Sequence, residues 1–210
     1  MNADKRRRKR LPSPRRKPAA KRERSSSARN SRHSSIHRAW KARFEIVTRH
    51  PPEALETTLT LNGAPVKRRI AARQHLIDFL REEMGLTGSH VGCEHGVCGT
   101  CTVRVDGRIV RGCLMLAVQA DGRSVDTIEG LSDSGELADL QEAFHRRNAL
   151  QCGYCTPGML LAAQDLVVNQ PGASRERIRE HLSGNYCRCT GYQAIVDAVE
   201  DVLAARREKL

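Results

Sequence analysis

The chain has 210 residues, 3% of them aromatic, with 36 Lys+Arg against 24 Asp+Glu. No run approaches the roughly 20 apolar residues that a membrane-spanning helix needs, so a transmembrane protein is not expected. The net charge of +12 is unevenly spread: residues 1–43 hold 17 Lys/Arg and 2 acids, while the remainder holds 19 and 22. Basicity is therefore a property of a tail, and a nucleic-acid binder is not implied by the chain-wide average.

Residues 1–43 are dominated by Arg, Lys, Ser and Pro, with Trp40 as the one large aromatic. Such a segment cannot bury enough apolar surface to offset its ordering entropy, and it is expected to be a disordered basic tail. Arg6-Arg7-Arg8 and Arg15-Arg16 raise a twin-arginine export signal, but no apolar stretch follows either pair, so a cytoplasmic protein is the expectation. Contact of the tail with nucleic acid or a membrane surface is a lesser reading.

The elements then follow in chain order. Residues 56–61 alternate in polarity, Asn62-Gly63 follows, and a second extended run covers residues 64–70. Asn-Gly between extended runs marks a hairpin, because a type I′ turn needs positive φ twice. In QHLIDFLREEMG, Leu76, Ile77, Leu80 and Met84 share a helical face, and Gly85 is placed to close the helix. A second hairpin, TVRV–Asp106-Gly107–RIVR, precedes a last extended piece over residues 124–128 that ends at Gly130. One helix across a small mixed sheet defines an α+β unit. Beyond it the pattern turns helical. Leu137, Leu140 and Phe144 mark one helix. Thr156-Pro157 is placed to cap and open a second over residues 157–169. Ser174 is placed to cap a third, and Ile195, Val199 and Val202 mark a fourth.

All eight cysteines lie in this body. Their density is below that of a small secreted disulfide scaffold, and no secretory signal is read, so metal is the first expectation. Cys93, Cys98 and Cys101 are spaced C-x4-C-x2-C, and Cys113 follows on the next hairpin arm. If Asp106-Gly107 forms a two-residue turn, Cys101 faces Gly112 and Cys113 faces Thr100, so the hairpin itself delivers the fourth thiol. Gly92, Gly96 and Gly99 allow the tight wrap in which backbone N–H groups reach sulfur. This spacing matches plant-type [2Fe–2S] ligation. Four-thiolate zinc is the competing reading, and His90 and His95 are read as exposed loop residues rather than ligands. The second set is Cys152-x2-Cys155 and Cys187-x-Cys189, each just before an expected helix start, where free N–H groups and the helix dipole favour an anionic group. On spacing alone, zinc stays open for this set.

Taken together, GLTGSHVGCEHGVCGTCTVRVDG, RGCLMLAVQADG, TIEGL, LQCGYCTPGML and GNYCRCTGYQAIVDAV resemble the small iron–sulfur subunit of molybdenum-containing hydroxylases, the xanthine oxidase family. The small chains of aerobic carbon monoxide dehydrogenase, isoquinoline oxidoreductase and nicotinate dehydrogenase are members. The resemblance implies a β-grasp plant-type ferredoxin domain over residues 54–131 and an all-α four-helix [2Fe–2S] domain over residues 133–205. It implies two [2Fe–2S] clusters: Cys93, Cys98, Cys101 and Cys113 on the flavin side, and Cys152, Cys155, Cys187 and Cys189 on the molybdenum side. Gln151 and Cys189 then approach the molybdopterin of a large partner subunit, and FAD sits on a medium one. Thr100 stands where alanine is common in the family, and Gly112 and Tyr186 also replace commoner residues. The function implied is electron transfer from molybdopterin to FAD or another acceptor, with the substrate site on another subunit. A free-standing two-cluster redox carrier or sensor and a zinc-binding interaction module are the competing functions.

Overall fold

The computed structural model describes residues 53–208. The basic tail, its arginine pairs and Trp40 lie outside them. Strands β1 (Ala54–Leu61) and β2 (Ala64–Ala71) form the first hairpin. Asn62 and Gly63 have φ of 50° and 80°, so the turn is of the expected type. Strands β3 (Thr102–Val105) and β4 (Arg108–Arg111) form the second hairpin about Asp106 (φ 47°) and Gly107 (φ 78°). Its register pairs Thr102 with Arg111 and Val105 with Arg108, as the two-residue turn requires. With β5 (Ser124–Asp126) the strands build one mixed sheet in the order β2-β1-β5-β3-β4; β5 runs parallel to β1 and antiparallel to β3.

Helix α1 lies over this sheet, but it departs from the expected regular helix. Leu76–Asp78 is α-helical and Phe79–Glu83 widens into a π-helical turn. The cause is visible in its burial. Leu76, Phe79 and Leu80 pack on Leu59, Leu61, Ile70, Val103, Val105 and Val125, whereas Ile77 packs separately against Cys101 and Cys113. A single α-helical stripe does not present both faces at once, and the wider turn redistributes them. Gly85, with φ 69°, closes the helix as expected.

The last strand also ends earlier than its sequence predicts. Residues 128–130 belong to helix α2 (Ile128–Asp133), not to a strand. Thr127 N–H donates to Asn62 Oδ1 (2.8 Å), and Asn62 Nδ2 donates to Thr127 Oγ1 (3.1 Å). The turn of the first hairpin therefore takes over hydrogen bonding where the β5 ladder stops. Gly130 fits beneath it, since an added Cβ would sit 2.5 Å from Asn62.

Helices α3 (Ala138–Arg146), α4 (Thr156–Asn169), α5 (Arg175–Leu182) and α6 (Gln193–Arg207) follow. Leu137, Leu140, Phe144, Met159, Leu161, Ile178, Ile195 and Val199 form their shared core, which Ile128 and Leu131 of α2 also join. Ser174 caps α5 by accepting from Arg177 N–H (3.3 Å). At α4 the cap position is Cys155, one residue before the expected Thr156, and no side-chain cap is made. The architecture is α+β, and no helix among the described residues is long and apolar enough to cross a membrane.

The sheet and the helices are fastened to each other. Arg104 of β3 bonds Asp126 (3.0 Å) and Glu136 (2.6 Å). Arg111 of β4 donates to Thr102 Oγ1, to Gly184 O (2.8 Å) and to Asn185 Oδ1 (3.2 Å). Asn185, 2% exposed, returns a bond from Nδ2 to Gly99 O (3.2 Å). Gly99 and Gly158 meet backbone to backbone, where a Cβ on Gly158 would overlap Gly99 O.

Candidate metal centres

The structure gathers the eight thiols into two groups of four. In the first, the loop carrying Cys93 and Cys98 folds back over the β3–β4 hairpin. The loop uses positive φ at Glu94, Gly96 and Gly99. Gly92 does not adopt positive φ; it serves close approach, since a Cβ there would lie 3.1 Å from Cys98 Sγ and from Thr100 Oγ1. His95 N–H and Cys98 N–H both donate to Cys93 Sγ at 3.4 Å. Those donors, Cys98 first, lower the Cys93 thiol to about 6. Gly112 N–H donates to Cys101 O (3.0 Å), so the hairpin register carries on past the named strands and sets Cys101 beside Cys113. Both are 2% exposed, and burial pushes the Cys101 thiol up to about 11.

In the second group, Cys152 and Cys155 precede α4, and Cys187 and Cys189 lie on the turn before α6. Cys189 Sγ is 3.6 Å from Cys152 Sγ, and Cys155 adjoins Cys187. Burial raises Cys155 to about 12. At Cys187 burial pulls upward but is outweighed by Thr190 Oγ1 (3.1 Å), Thr190 N–H (3.4 Å) and Cys189 N–H, so its thiol is lowered. The Cys152 thiol beside it raises Cys189. Cys155 stands at the cap position of α4 as expected, but its side chain takes no bond from the helix start. The Cys187–Cys189 pair is separated from α6 by Gly191 and Tyr192, both at positive φ. Donation at Cys187 therefore comes from the turn residue Thr190 rather than from the α6 N-terminus.

The donor set can be tested against a two-iron group. Two sulfurs at about 2.3 Å from one tetrahedral metal lie roughly 3.8 Å apart. Cys152 and Cys189 form such a pair, their sulfurs 3.6 Å apart, and Cys93 adjoins Cys98, Cys101 adjoins Cys113 and Cys155 adjoins Cys187. Among the described residues, no three His, Cys, Asp or Glu side chains converge on one ion position. Pairs set side by side fit two metal positions per group, and N–H groups directed at sulfur fit an anionic cluster.

Gln151 is exposed beside Cys152, as is Cys189. Around them Leu150, Tyr154 and Tyr186 also expose apolar surface. His95 is exposed as expected. His90 is not a bystander: it stacks on Tyr154 with ring centroids 4.5 Å apart, and its Nδ1 lies 2.8 Å from Tyr154 O. Tyr154 Oη donates to Val91 O (2.6 Å), and Tyr186 N–H donates to Cys98 O (2.8 Å). The loops bearing the two groups are thus joined directly. Sequence reading missed this contact, although Tyr154 and Tyr186, each beside a cysteine, were the visible signal.

Comparison with known proteins fits this geometry. A model of a 2Fe-2S iron-sulfur cluster binding domain matches residues 59–127, and one of a [2Fe-2S] binding domain matches residues 127–200. The gamma subunit of caffeine dehydrogenase from a Pseudomonas species is 52% identical over 150 residues, covering 69% of this chain and 89% of that subunit. The small subunit of nicotine 6-hydroxylase from Paenarthrobacter nicotinovorans is 51% identical over 156 residues, 74% of this chain and 94% of that one. Among solved structures, quinoline 2-oxidoreductase from Pseudomonas putida 86 superposes with a TM-score of 0.69 at 49% identity, covering 75% of this chain and 99% of that chain. The chain belongs to the iron–sulfur small subunits of the molybdenum hydroxylases, the xanthine oxidase family. It is an electron-transfer subunit of an oxidoreductase.

Proposed function

We propose that Cys93, Cys98, Cys101 and Cys113 hold one [2Fe–2S] cluster on the flavin side, and that Cys152, Cys155, Cys187 and Cys189 hold another on the molybdenum side. In this reading residues 54–131 form a β-grasp ferredoxin-type domain and residues 133–205 a four-helix domain, with α2 joining them. The observation that carries the assignment is the arrangement of eight thiols as four neighbouring pairs in two groups. When bound, each cluster supplies reversible one-electron chemistry, and two in one chain supply a relay between cofactors held elsewhere.

The chain's own residues then have distinct tasks. His95 and Cys98 N–H groups stabilise sulfur charge at Cys93, and Thr190 does so at Cys187. Burial of Cys101 and Cys113 under Ile77 excludes water from one half of the first group. Gln151, Cys152 and Cys189, framed by Leu150, Tyr154 and Tyr186, form the exposed face that meets a large molybdopterin-binding subunit. A medium subunit bearing FAD meets the first group. Caffeine, nicotine and quinoline, named in three relatives, are nitrogen heterocycles, which supports a nitrogen heterocycle as the substrate class of the whole complex.

The test is iron and acid-labile sulfide analysis of the isolated complex, with EPR of Cys93→Ser and Cys187→Ser. About four irons and four sulfides per chain are expected. Each variant should lose one signal and keep the other. Zinc without sulfide overturns the clusters. Purification without partner subunits favours a free-standing carrier.

A further inference from the structure

Thr100 is 5% exposed, and its hydroxyl oxygen lies 3.2 Å from Cys98 Sγ. The cleft is closed on the far side by Gly92, where an added Cβ would lie 3.1 Å from both atoms. Nothing comes between them. The other thiols of this group are served differently. Cys93 takes backbone N–H groups, while Cys101 and Cys113 pack on Ile77 and Val91. Among the described residues, the Thr100 hydroxyl is the one side-chain oxygen in contact with a thiol of the first group. A metal-bound thiolate has no proton to give, so the hydroxyl must be the donor. A donor to sulfur favours the more negative, reduced state, and hydrogen bonds to the sulfurs are among the factors that set cluster potential.

We propose that Thr100 is a positioning and tuning residue. Its hydroxyl donates to Cys98 Sγ and raises the reduction potential of the cluster held by Cys93, Cys98, Cys101 and Cys113. This rests on the cluster assignment above. Thr190 offers a built-in contrast. Its hydroxyl reaches Cys187 Sγ at 3.1 Å, but its own N–H also does so at 3.4 Å. Removing that hydroxyl leaves a donor in place; removing the one at Thr100 leaves none on Cys98 among the described residues.

The experiment is a redox titration of the purified complex followed by EPR, for the unmodified protein, Thr100→Val, Thr100→Ser and Thr190→Val. Thr100→Val should lower the one-electron equilibrium constant of the first signal about threefold to tenfold, where tenfold corresponds to 59 mV. Thr100→Ser should stay near the unmodified value, and Thr190→Val should move only the second signal, and by less. An unmoved first signal in Thr100→Val overturns the proposal, as does a Thr100→Ser shift as large as that of valine, which would make the effect one of packing. If valine prevents cluster retention, Thr100→Ala is read against Thr100→Ser in the same way. Iron and sulfide are measured on the same samples. Their absence from the unmodified protein would fail the cluster assignment itself, whereas intact clusters at unchanged potential in Thr100→Val would fail only the role of Thr100.

Discussion

The two groups of cysteines are assembled by different means. The first arises from one continuous stretch, residues 93–113, whose loop and hairpin bring four thiols together, while Ile77 packs on two of them and Tyr154, Asn185 and Tyr186 bond the loop from outside. The second joins two segments separated by α4 and α5, so it exists only while the helices are packed. Exposure differs as well: Cys101 and Cys113 of the first are buried, whereas Cys152 and Cys189 of the second are open to solvent. A site made locally is fixed by turn chemistry. A site made across a bundle is fixed by its core, and it fails with that core.

The largest test of this contrast is Phe144→Ala. Phe144 is 1% exposed in α3, which packs on α6, the helix following Cys189. The change should cost about 3–5 kcal/mol. On heating, the second EPR signal should disappear well before the first. Simultaneous loss would show that the two regions unfold as one unit. Gly158→Val is the next strongest. Its Cβ would overlap Gly99 O, forcing α4 away from the first loop at a cost of about 1–3 kcal/mol. Here both signals should broaden together, with a lowered melting temperature, because the contact belongs to both groups.

Arg104→Met should have a smaller effect that depends on pH. The Arg104 guanidinium holds the Glu136 carboxyl below its usual range. A depressed carboxyl stabilises the fold above its unfolded pKa of about 4.3 and loses that contribution as pH falls through the lower folded value. The variant should be about 1 kcal/mol less stable at pH 7, a figure reduced for partial exposure. The difference between the two proteins should shrink below pH 4. Urea midpoints across pH would check it, and a gap that widens in acid would contradict the pairing. Asn62→Gly should be mildest. It keeps the positive φ but loses the bonds to Thr127, costing about 1 kcal/mol in a melting experiment with both EPR signals unchanged.

The sequence was most readable where the determinants are local. Asn62-Gly63 and Asp106-Gly107 announce their turns because few other residue pairs tolerate positive φ twice, and the second turn placed Cys113 beside Cys101. The spacing of all eight cysteines and the helix starts near Thr156 and Ser174 were equally plain. The widening of α1 was hidden, because it arises from Ile77 and Leu76 seeking different neighbours, and no Gly or Pro marks it. The early end of β5 was hidden for a similar reason. It depends on Asn62, a turn residue read only for its backbone, bonding Thr127 across the sheet. The fastening of Arg111, Asn185, Gly99 and Gly158 leaves no local trace, because each partner lies far along the chain from the next.

That fastening also imposes an order on biosynthesis. Asn185 bonds the carbonyl of Gly99 across 86 residues, and Tyr186 bonds that of Cys98 beside it. As the chain leaves the ribosome, the first cysteine loop is complete in sequence long before either partner has been made. Until then the Cys98 carbonyl lacks Tyr186, and the Gly99 carbonyl has only its local bonds from Thr102 N–H (3.2 Å) and Thr102 Oγ1 (2.6 Å). The first cysteine loop therefore receives its last hydrogen bonds from a segment made well after it.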